Sequence, residues 1–198
     1  MSLVIALAGS REAVIGGDKR CITFSGSCPQ LEEELYSGRI KNDGALLARA
    51  RELGATLQVS DGREKVWRRG DLLVGEVTEL SSRLERRRRI YLAPGASLEV
   101  DISGSDARIR AQGGVGCVVF GNRFTQELAG SSVARSGGRV NEGLIKSIFV
   151  EAGERTASVS REHIILKSVN MPSDPRSALQ KALEEDCQKS GWRLCDPQ

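Results

Sequence analysis

The sequence is poor in the residues from which many enzyme centres are built. His163 is its only histidine, so a Ser-His-Asp triad or a two-histidine metal site would rest on that one residue. The five cysteines are scattered and form no CxxC pair, which argues against zinc and redox motifs. We therefore expect reduced thiols, an ordinary strand position for His163, and neither a metal ion nor a cofactor.

Long apolar runs and a strong charge excess are also absent. The apolar stretch 3–8 follows no basic segment and is far shorter than a membrane-spanning helix, so we expect a cytoplasmic protein without membrane insertion. Lysine and arginine number 29 against 26 acidic residues, a balance too even to indicate nucleic-acid binding. The basic run 83–89 is typical of a solvated face, and the sequence leaves its role open.

The elements that the sequence does contain predict one main core. Of 198 residues, 39% are hydrophobic and 28% charged, as in ordinary globular domains. Residues 2–22 predict a hairpin buried on both faces, and residues 25–54 predict an inserted pair of short helices. Strands dominate residues 55–121, followed by two helices and a last strand at HIILKSV. We expect an α+β domain over residues 1–169, and a linker and helix over 170–198.

Ser2 is the first candidate for chemistry. Methionine is usually removed before a small second residue, which would leave Ser2 with a hydroxyl and a free α-amine. An α-amine has an ordinary pKa of about 7.7 to 8.0, so it can accept the hydroxyl proton near neutral pH without a histidine. A serine at position two is common, so this hypothesis needs supporting residues.

Asp18 and Arg20 supply one kind of support. They lie at the end of the second buried run, in GGDKR, on the same side of the strand. Charged groups at such a position need partners. The carboxylate can fix a nearby ammonium group, and the arginine can order the carboxylate through a forked hydrogen bond. A plain ion pair at a strand end is the alternative.

Two longer motifs resemble a known family. SLVIALAGSREAVIGGDKR resembles the start of a proteasome β subunit once Met1 is removed, and REKVWRRGDLLVGEV resembles that family's catalytic-lysine strand and oxyanion glycine. The resemblance implies an N-terminal nucleophile hydrolase fold, a two-sheet sandwich with flanking helices. It implies that the charge of Lys65 lowers the proton affinity of Ser2, and that the N–H of Gly75 stabilises an oxyanion. The alternatives are a surface lysine for Lys65 and, for Gly75, a bulge or a close backbone approach.

The chain also departs from that family. Its two long helices after the glycine are missing, because only TELSSRLERRRR precedes the next strand, so we expect a monomer and not a proteasome-type ring. The serine near the nucleophile's amine appears as Val115 or one of its neighbours, in QGGVGCVVFGN. The supporting aspartate appears as Thr156, with Ser158 or Ser160 as possible substitutes.

With its insertion LEEELYSGRIKNDGALLARARELGA, the chain is similar to the archaeal connectases up to about Val169. These are N-terminal threonine or serine protein ligases of methanogens. The resemblance implies that Ser2 attacks the carbonyl after the aspartate of an Asp-Pro-Gly-type motif and passes the acyl group to an N-terminal proline. The implied substrate is the A subunit of the methanogens' membrane methyltransferase, and the insertion is the expected wall of a peptide groove.

Two other functions remain open. The same residues would serve an N-terminal serine peptidase or amidase, with water as the acyl acceptor. The other candidate is an inactive proteasome-like domain that binds protein or nucleic acid, which the missing supporting groups favour. It predicts that Met1 is retained and that Ser2→Ala leaves function intact.

Overall fold

The computed structural model describes residues 3–80 and 85–195. In chain order its elements are β1 (Val4–Ala8), β2 (Ala13–Asp18), β3 (Cys21–Ser25), α1 (Pro29–Tyr36), α2 (Asp43–Glu52), β4 (Thr56–Ser60), β5 (Val66–Arg69), β6 (Leu72–Leu80), β7 (Glu85–Ala93), β8 (Ala96–Ser103), β9 (Asp106–Gly113), β10 (Gly116–Phe120), α3 (Arg123–Arg135), α4 (Glu142–Arg155), β11 (His163–Ser168), α5 (Pro175–Ser190) and β12 (Arg193–Cys195). Within the described residues the strands form three sheets and are accompanied by five helices. The predicted α+β composition is confirmed.

The hairpin β1–β2 forms the centre of the first sheet, whose strand order is β10-β1-β2-β11. Its neighbouring strands are antiparallel, and β1 and β2 are buried along their whole length. Continuous apolar runs predict this burial on both faces, and the predicted hairpin is confirmed. The second strand ends earlier than expected, at Asp18, because Cys21–Ser25 turns away as β3 into another sheet.

The second sheet is larger and has the order β12-β9-β8-β7-β6-β5. Its strands are antiparallel except for the parallel pair β9 and β12. The turn between β7 and β8 contains Gly95 at φ 78°, in the left-handed region that favours glycine. The short strand β12 was not predicted from the sequence.

Apolar side chains divide the molecule into layers. One cluster lies between the two sheets, where Val4 and Ile15 of the first pack with Leu73 and Ile90 of the second. A second cluster, with Phe149, joins the first sheet to α3 and α4, and a third joins the second sheet to α5. The order is therefore helices, sheet, sheet, helix. No helix in the described residues is both long and apolar enough to span a membrane.

The insertion 25–54 contains the two expected helices, α1 and α2. Pro29 begins α1, and the Asn42 side chain caps α2 by accepting a hydrogen bond from Ala45 N at 2.9 Å. The third sheet, a ribbon of β3 and β4, flanks the helices. Apolar side chains of the helices and the ribbon pack together and against Ala157. The insertion thus has its own small core that contacts the main domain.

The basic run lies mostly in β7, with Arg83 outside the described residues. Arg89 is 11% exposed at its side chain and binds Glu76 at 2.7 Å and Asp186, on α5, at 2.6 Å. Its guanidinium also lies over two tryptophan rings. The run therefore differs from the expected solvated face: Arg86 is exposed, but Arg89 helps to fix α5 onto the second sheet.

Candidate active site

A buried carboxylate at the end of β2 is the centre of the site. Asp18 is 0% exposed and accepts four hydrogen bonds. Its Oδ1 accepts from Leu3 N and Lys65 Nζ, both at 2.7 Å. Its Oδ2 accepts from Arg20 N at 2.9 Å and Ser160 N at 3.2 Å. A carboxylate that accepts this many donors is held in one orientation.

Lys65 is the cation of this cluster. It lies directly before β5, is 3% exposed, and donates to Arg20 O at 2.7 Å as well as to Asp18. Burial disfavours the ammonium form and lowers the pKa of Lys65, and the contact with Asp18 offsets this only in part. The alternative of a surface lysine is therefore wrong.

The two glycines of GGDKR explain how Lys65 reaches Asp18. A Cβ on Gly17 would lie 2.9 Å from Val66 Cγ1 and 3.3 Å from Lys65 Cβ. A Cβ on Gly16 would lie 2.4 Å from a ring carbon of Phe149 on α4. Because consecutive strand residues face opposite sides, one glycine admits β5 and the other admits α4. The two consecutive glycines are visible in the sequence, but the prediction used only the charged residues of the motif.

The first described residue is fixed to the same cluster. Leu3 is 0% exposed, its N–H donates to Asp18 Oδ1, and its carbonyl accepts from Asp18 N at 3.1 Å. This reciprocal pair joins the start of the chain to the end of β2. Ser2 itself lies outside the described residues, so its role as nucleophile stays a prediction.

Arg20 makes different contacts from those predicted. Its main chain contacts Asp18 and Lys65, but its guanidinium turns away to Asp61 and Asp43 and donates to Ala157 O at 2.9 Å. The expected fork from Arg20 to Asp18 is therefore wrong. Burial alone would lower the pKa of Arg20, but the hydrogen bonds to Asp61 and Asp43 outweigh it and the pKa is raised. Sequence reasoning missed both aspartates.

Comparison with known families follows this geometry. Residues 1–188 match the family profile described as Connectase MJ0548-like, N-terminal domain. The chain belongs to the connectase family. The match confirms the resemblance drawn from the motifs, and membership implies an enzyme with protein ligase activity. A comparison with curated proteins gave no match.

In this connectase chain Gly75 lies within β6, in register with Val66 of β5 and Ile90 of β7. The next residue, Glu76, donates its N–H to Lys65 O at 2.8 Å, toward β5. Because successive residues of a strand direct their N–H groups to opposite neighbours, the N–H of Gly75 points toward β7 and not toward Asp18. This direction does not favour the predicted oxyanion role.

Close packing accounts for a glycine at position 75. A Cβ on Gly75 would lie 2.7 Å from Ile15 Cδ1 and 2.9 Å from Val4 Cγ1, between the two sheets. Real Cβ atoms do not approach other atoms so closely, so a side chain here would displace Ile15 and Val4 from their packed positions. This is the close backbone approach that the sequence analysis gave as the alternative.

The connectase chain has a second buried polar cluster at the end of β10 that lies nearer to Leu3 and Asp18. Asn122 lies two residues after the end of β10, and its Nδ2 donates to Ser158 Oγ at 2.9 Å. The Ser158 and Thr156 hydroxyls lie 2.9 Å apart, and all three residues are at most 3% exposed. The loop 156–162 that carries Thr156 and Ser158 also supplies Ser160 N to Asp18. One loop therefore contributes to both clusters.

The predicted position of the family serine, Val115 or one of its neighbours, lies at the other end of β10. Gly116, which follows Val115, is in register with Ala8, whereas Phe120 is in register with Val4 at the end where Leu3 meets Asp18. Val115 is 66% exposed and lies far from that end. Asn122 lies instead at the end of β10 that is nearer to Leu3. Its helix-capping signal was present in the sequence, but nothing there predicted its contact with Ser158.

Proposed function

We propose that this connectase is an N-terminal nucleophile protein ligase, and that Ser2 becomes its nucleophile once Met1 is removed. The observation that carries the proposal is the hydrogen bond from Leu3 N to the buried Asp18–Lys65 pair. Leu3 follows Ser2 directly in the chain, which makes this pair our candidate for the groups that activate Ser2. The two-sheet layering between helices supports an N-terminal nucleophile hydrolase fold.

The chemistry divides among these groups. The free α-amine of Ser2 acts as the base for its own hydroxyl, since its ordinary pKa is about 7.7 to 8.0. Lys65, where protonated, makes deprotonation of Ser2 easier by its positive charge. Asp18 orients Lys65 and the start of the chain through hydrogen bonds of 2.7 Å. The chain has only one histidine, and this mechanism uses none.

The reaction begins with attack of Ser2 Oγ on the main-chain carbonyl carbon of the aspartate in an Asp-Pro-Gly-type motif. The new C–O bond forms, the C–N bond to proline breaks, and the hydroxyl proton passes through the α-amine to the departing proline nitrogen. The α-amine then attacks the ester, which converts it to an amide and returns a proton to Oγ. A peptide with an N-terminal proline reverses both steps and accepts the acyl group.

The partner we propose for this reaction is the A subunit of the methanogen membrane methyltransferase. Resemblance to the archaeal connectases supports it. Proline suits the exchange because its secondary amine is a strong nucleophile, so its return competes with water where the site excludes water.

Intact mass spectrometry tests the proposal. The protein is weighed alone and after mixing with a peptide that carries the Asp-Pro-Gly motif. We expect a mass that lacks the first methionine, and then an adduct equal to the acyl fragment. Ser2→Ala should form no adduct, whereas Ser10→Ala, in the exposed turn after β1, should react like the wild type. Retained Met1, or adduct formation by Ser2→Ala, would contradict the proposal.

The acyl acceptor is decided by product analysis of the same mixture. A ligase joins the acyl fragment to an added peptide that begins with proline. A peptidase or amidase instead releases a fragment with a new free carboxylate, even when that peptide is in excess. Predominant hydrolysis would replace the ligase proposal with the peptidase alternative.

A further inference from the structure

A buried arginine joins the insertion to the active-site cluster. The Arg20 side chain is 7% exposed and binds Asp61 through Nε at 2.7 Å and Nη2 at 2.9 Å. It binds Asp43 through Nη1 at 2.5 Å. A planar guanidinium that is gripped by two carboxylates has a fixed position and orientation.

The two carboxylates belong to different segments. Asp43 is the first residue of α2, inside the insertion, where a negative charge is also favourable for the helix. Asp61 directly follows β4 and lies four residues before Lys65 in the sequence. Arg20 therefore fixes a helix of the insertion and the segment that leads to the active-site lysine.

A third segment meets the same guanidinium. Arg20 Nη1 donates to Ala157 O at 2.9 Å. Ala157 lies in the loop 156–162, which supplies Ser160 N to Asp18 and packs against the insertion's apolar core. Arg20 therefore bridges the loop and the insertion, which also meet where Ala157 N donates to Ile40 O at 2.9 Å.

The main chain of Arg20 belongs to the site. Its N–H donates to Asp18 Oδ2 at 2.9 Å, and its carbonyl accepts from Lys65 Nζ at 2.7 Å. Any movement of the side chain that shifts the Arg20 main chain changes both contacts. The aspartates that hold the guanidinium therefore act on the reacting groups through Arg20.

We propose that Asp43 and Asp61 are positioning residues: through Arg20 they fix the insertion against the site and hold Asp18 and Lys65 in register for acyl transfer. The proposal rests on the proposed function for its substrate. Asp61, gripping Arg20 next to the lysine segment, governs the rate of the chemical step. Asp43 governs peptide binding, because it orients the insertion that we expect to form the wall of the peptide groove.

The test compares Asp61→Asn and Asp43→Asn with a matched control. Asparagine keeps the shape of the side chain but removes its charge and turns one acceptor into a donor. Asp106→Asn is the control, because Asp106 accepts two hydrogen bonds from Arg193, at 2.9 and 3.1 Å, in the second sheet and outside the insertion. The Asp43 side chain is 57% exposed, so we expect Asp43→Asn to fold.

Adduct formation is followed against peptide concentration. We expect Asp61→Asn to lower the saturating rate by roughly tenfold to a hundredfold, as misplaced reacting groups do, with little change in the half-saturating concentration. Asp43→Asn should raise the half-saturating concentration several-fold and leave the saturating rate nearly unchanged. Asp106→Asn should change neither. Equal behaviour of all three variants would overturn the proposal.

Hydrogen exchange gives a readout that needs no substrate. The amides of Arg20 and Ser160, which donate to Asp18, should exchange faster in Asp43→Asn and Asp61→Asn than in the wild type and in Asp106→Asn. If the wild type forms no adduct with any peptide, the proposed function fails while this comparison still tests the positioning by Arg20. Unchanged exchange at both amides would overturn the positioning role even in an active enzyme.

Discussion

Asp18→Asn should destabilise the fold more than Lys65→Met, although both break the same ion pair. The two side chains are 0% and 2% exposed and lie 2.7 Å apart. Removing one partner of a buried pair typically costs about 3 to 5 kcal/mol. The two variants differ in what they leave unpaired.

The hydrogen bonds of Asp18 decide the order. Each oxygen faces two donors, so an asparagine amide in either orientation turns its NH2 group toward two donors. Each unsatisfied donor costs about 1 to 3 kcal/mol, which raises the expected loss in Asp18→Asn to about 5 kcal/mol or more. In Lys65→Met the carboxylate keeps three main-chain N–H donors, so we expect about 3 kcal/mol.

Urea unfolding of both variants and of the double variant measures these free energies. The double variant has no buried charge, so its loss should be at least about 2 kcal/mol smaller than the sum of the single losses. It should still form no adduct with the peptide, because the recovered stability does not restore the charges of Asp18 and Lys65. Additive losses within about 0.5 kcal/mol, or a larger loss in Lys65→Met than in Asp18→Asn, would refute this reasoning.

Three further predictions concern pH and packing. Burial lowers the pKa of Lys65, so the folded state releases this proton at a lower pH than the unfolded state does. The free energy of unfolding should therefore rise with pH up to the ordinary lysine pKa of about 10.4. Lys65→Met should lack this rise in urea titrations. Gly75→Ala should lose about 1 to 3 kcal/mol in urea unfolding, because its Cβ would lie 2.7 Å from Ile15 Cδ1. Arg89→Met should lose about 3 to 5 kcal/mol by the same assay and loosen α5, whereas Arg86→Met, at an exposed position, should change little.

Local patterns predicted the parts of the site that lie close together in sequence. The apolar runs gave the β1–β2 hairpin, and the rule that charged groups at a buried strand end need partners identified Asp18. The contact between Asp18 and Lys65 spans 47 residues, and the family motif, not periodicity, indicated it. Hydrophobic periodicity describes one element at a time, so it carries no information about which segments meet.

The failures have the same physical origin. Arg20 was expected to bind Asp18, two residues away, but its partners are 23 and 41 residues away. Val115 was chosen within a glycine-rich stretch, where the register of β10 against β1 cannot be deduced from the pattern. Register depends on both strands together, and only the structure puts Asn122 at the end of β10 near Leu3.

The arrangement of the cluster bears on how far the proposed chemistry depends on the nucleophile itself. Asp18 is held by donors from four segments, and Leu3 contributes only its main-chain N–H. No side chain of the first residues is needed to build the pair with Lys65, so the pair should form in Ser2→Ala as well. The site therefore supplies the electrostatic environment in advance, and serine or threonine at position two would meet the same pair. Selection between water and an amine as the acceptor must then come from what surrounds the pair, and the insertion held by Arg20 is our candidate for that selection.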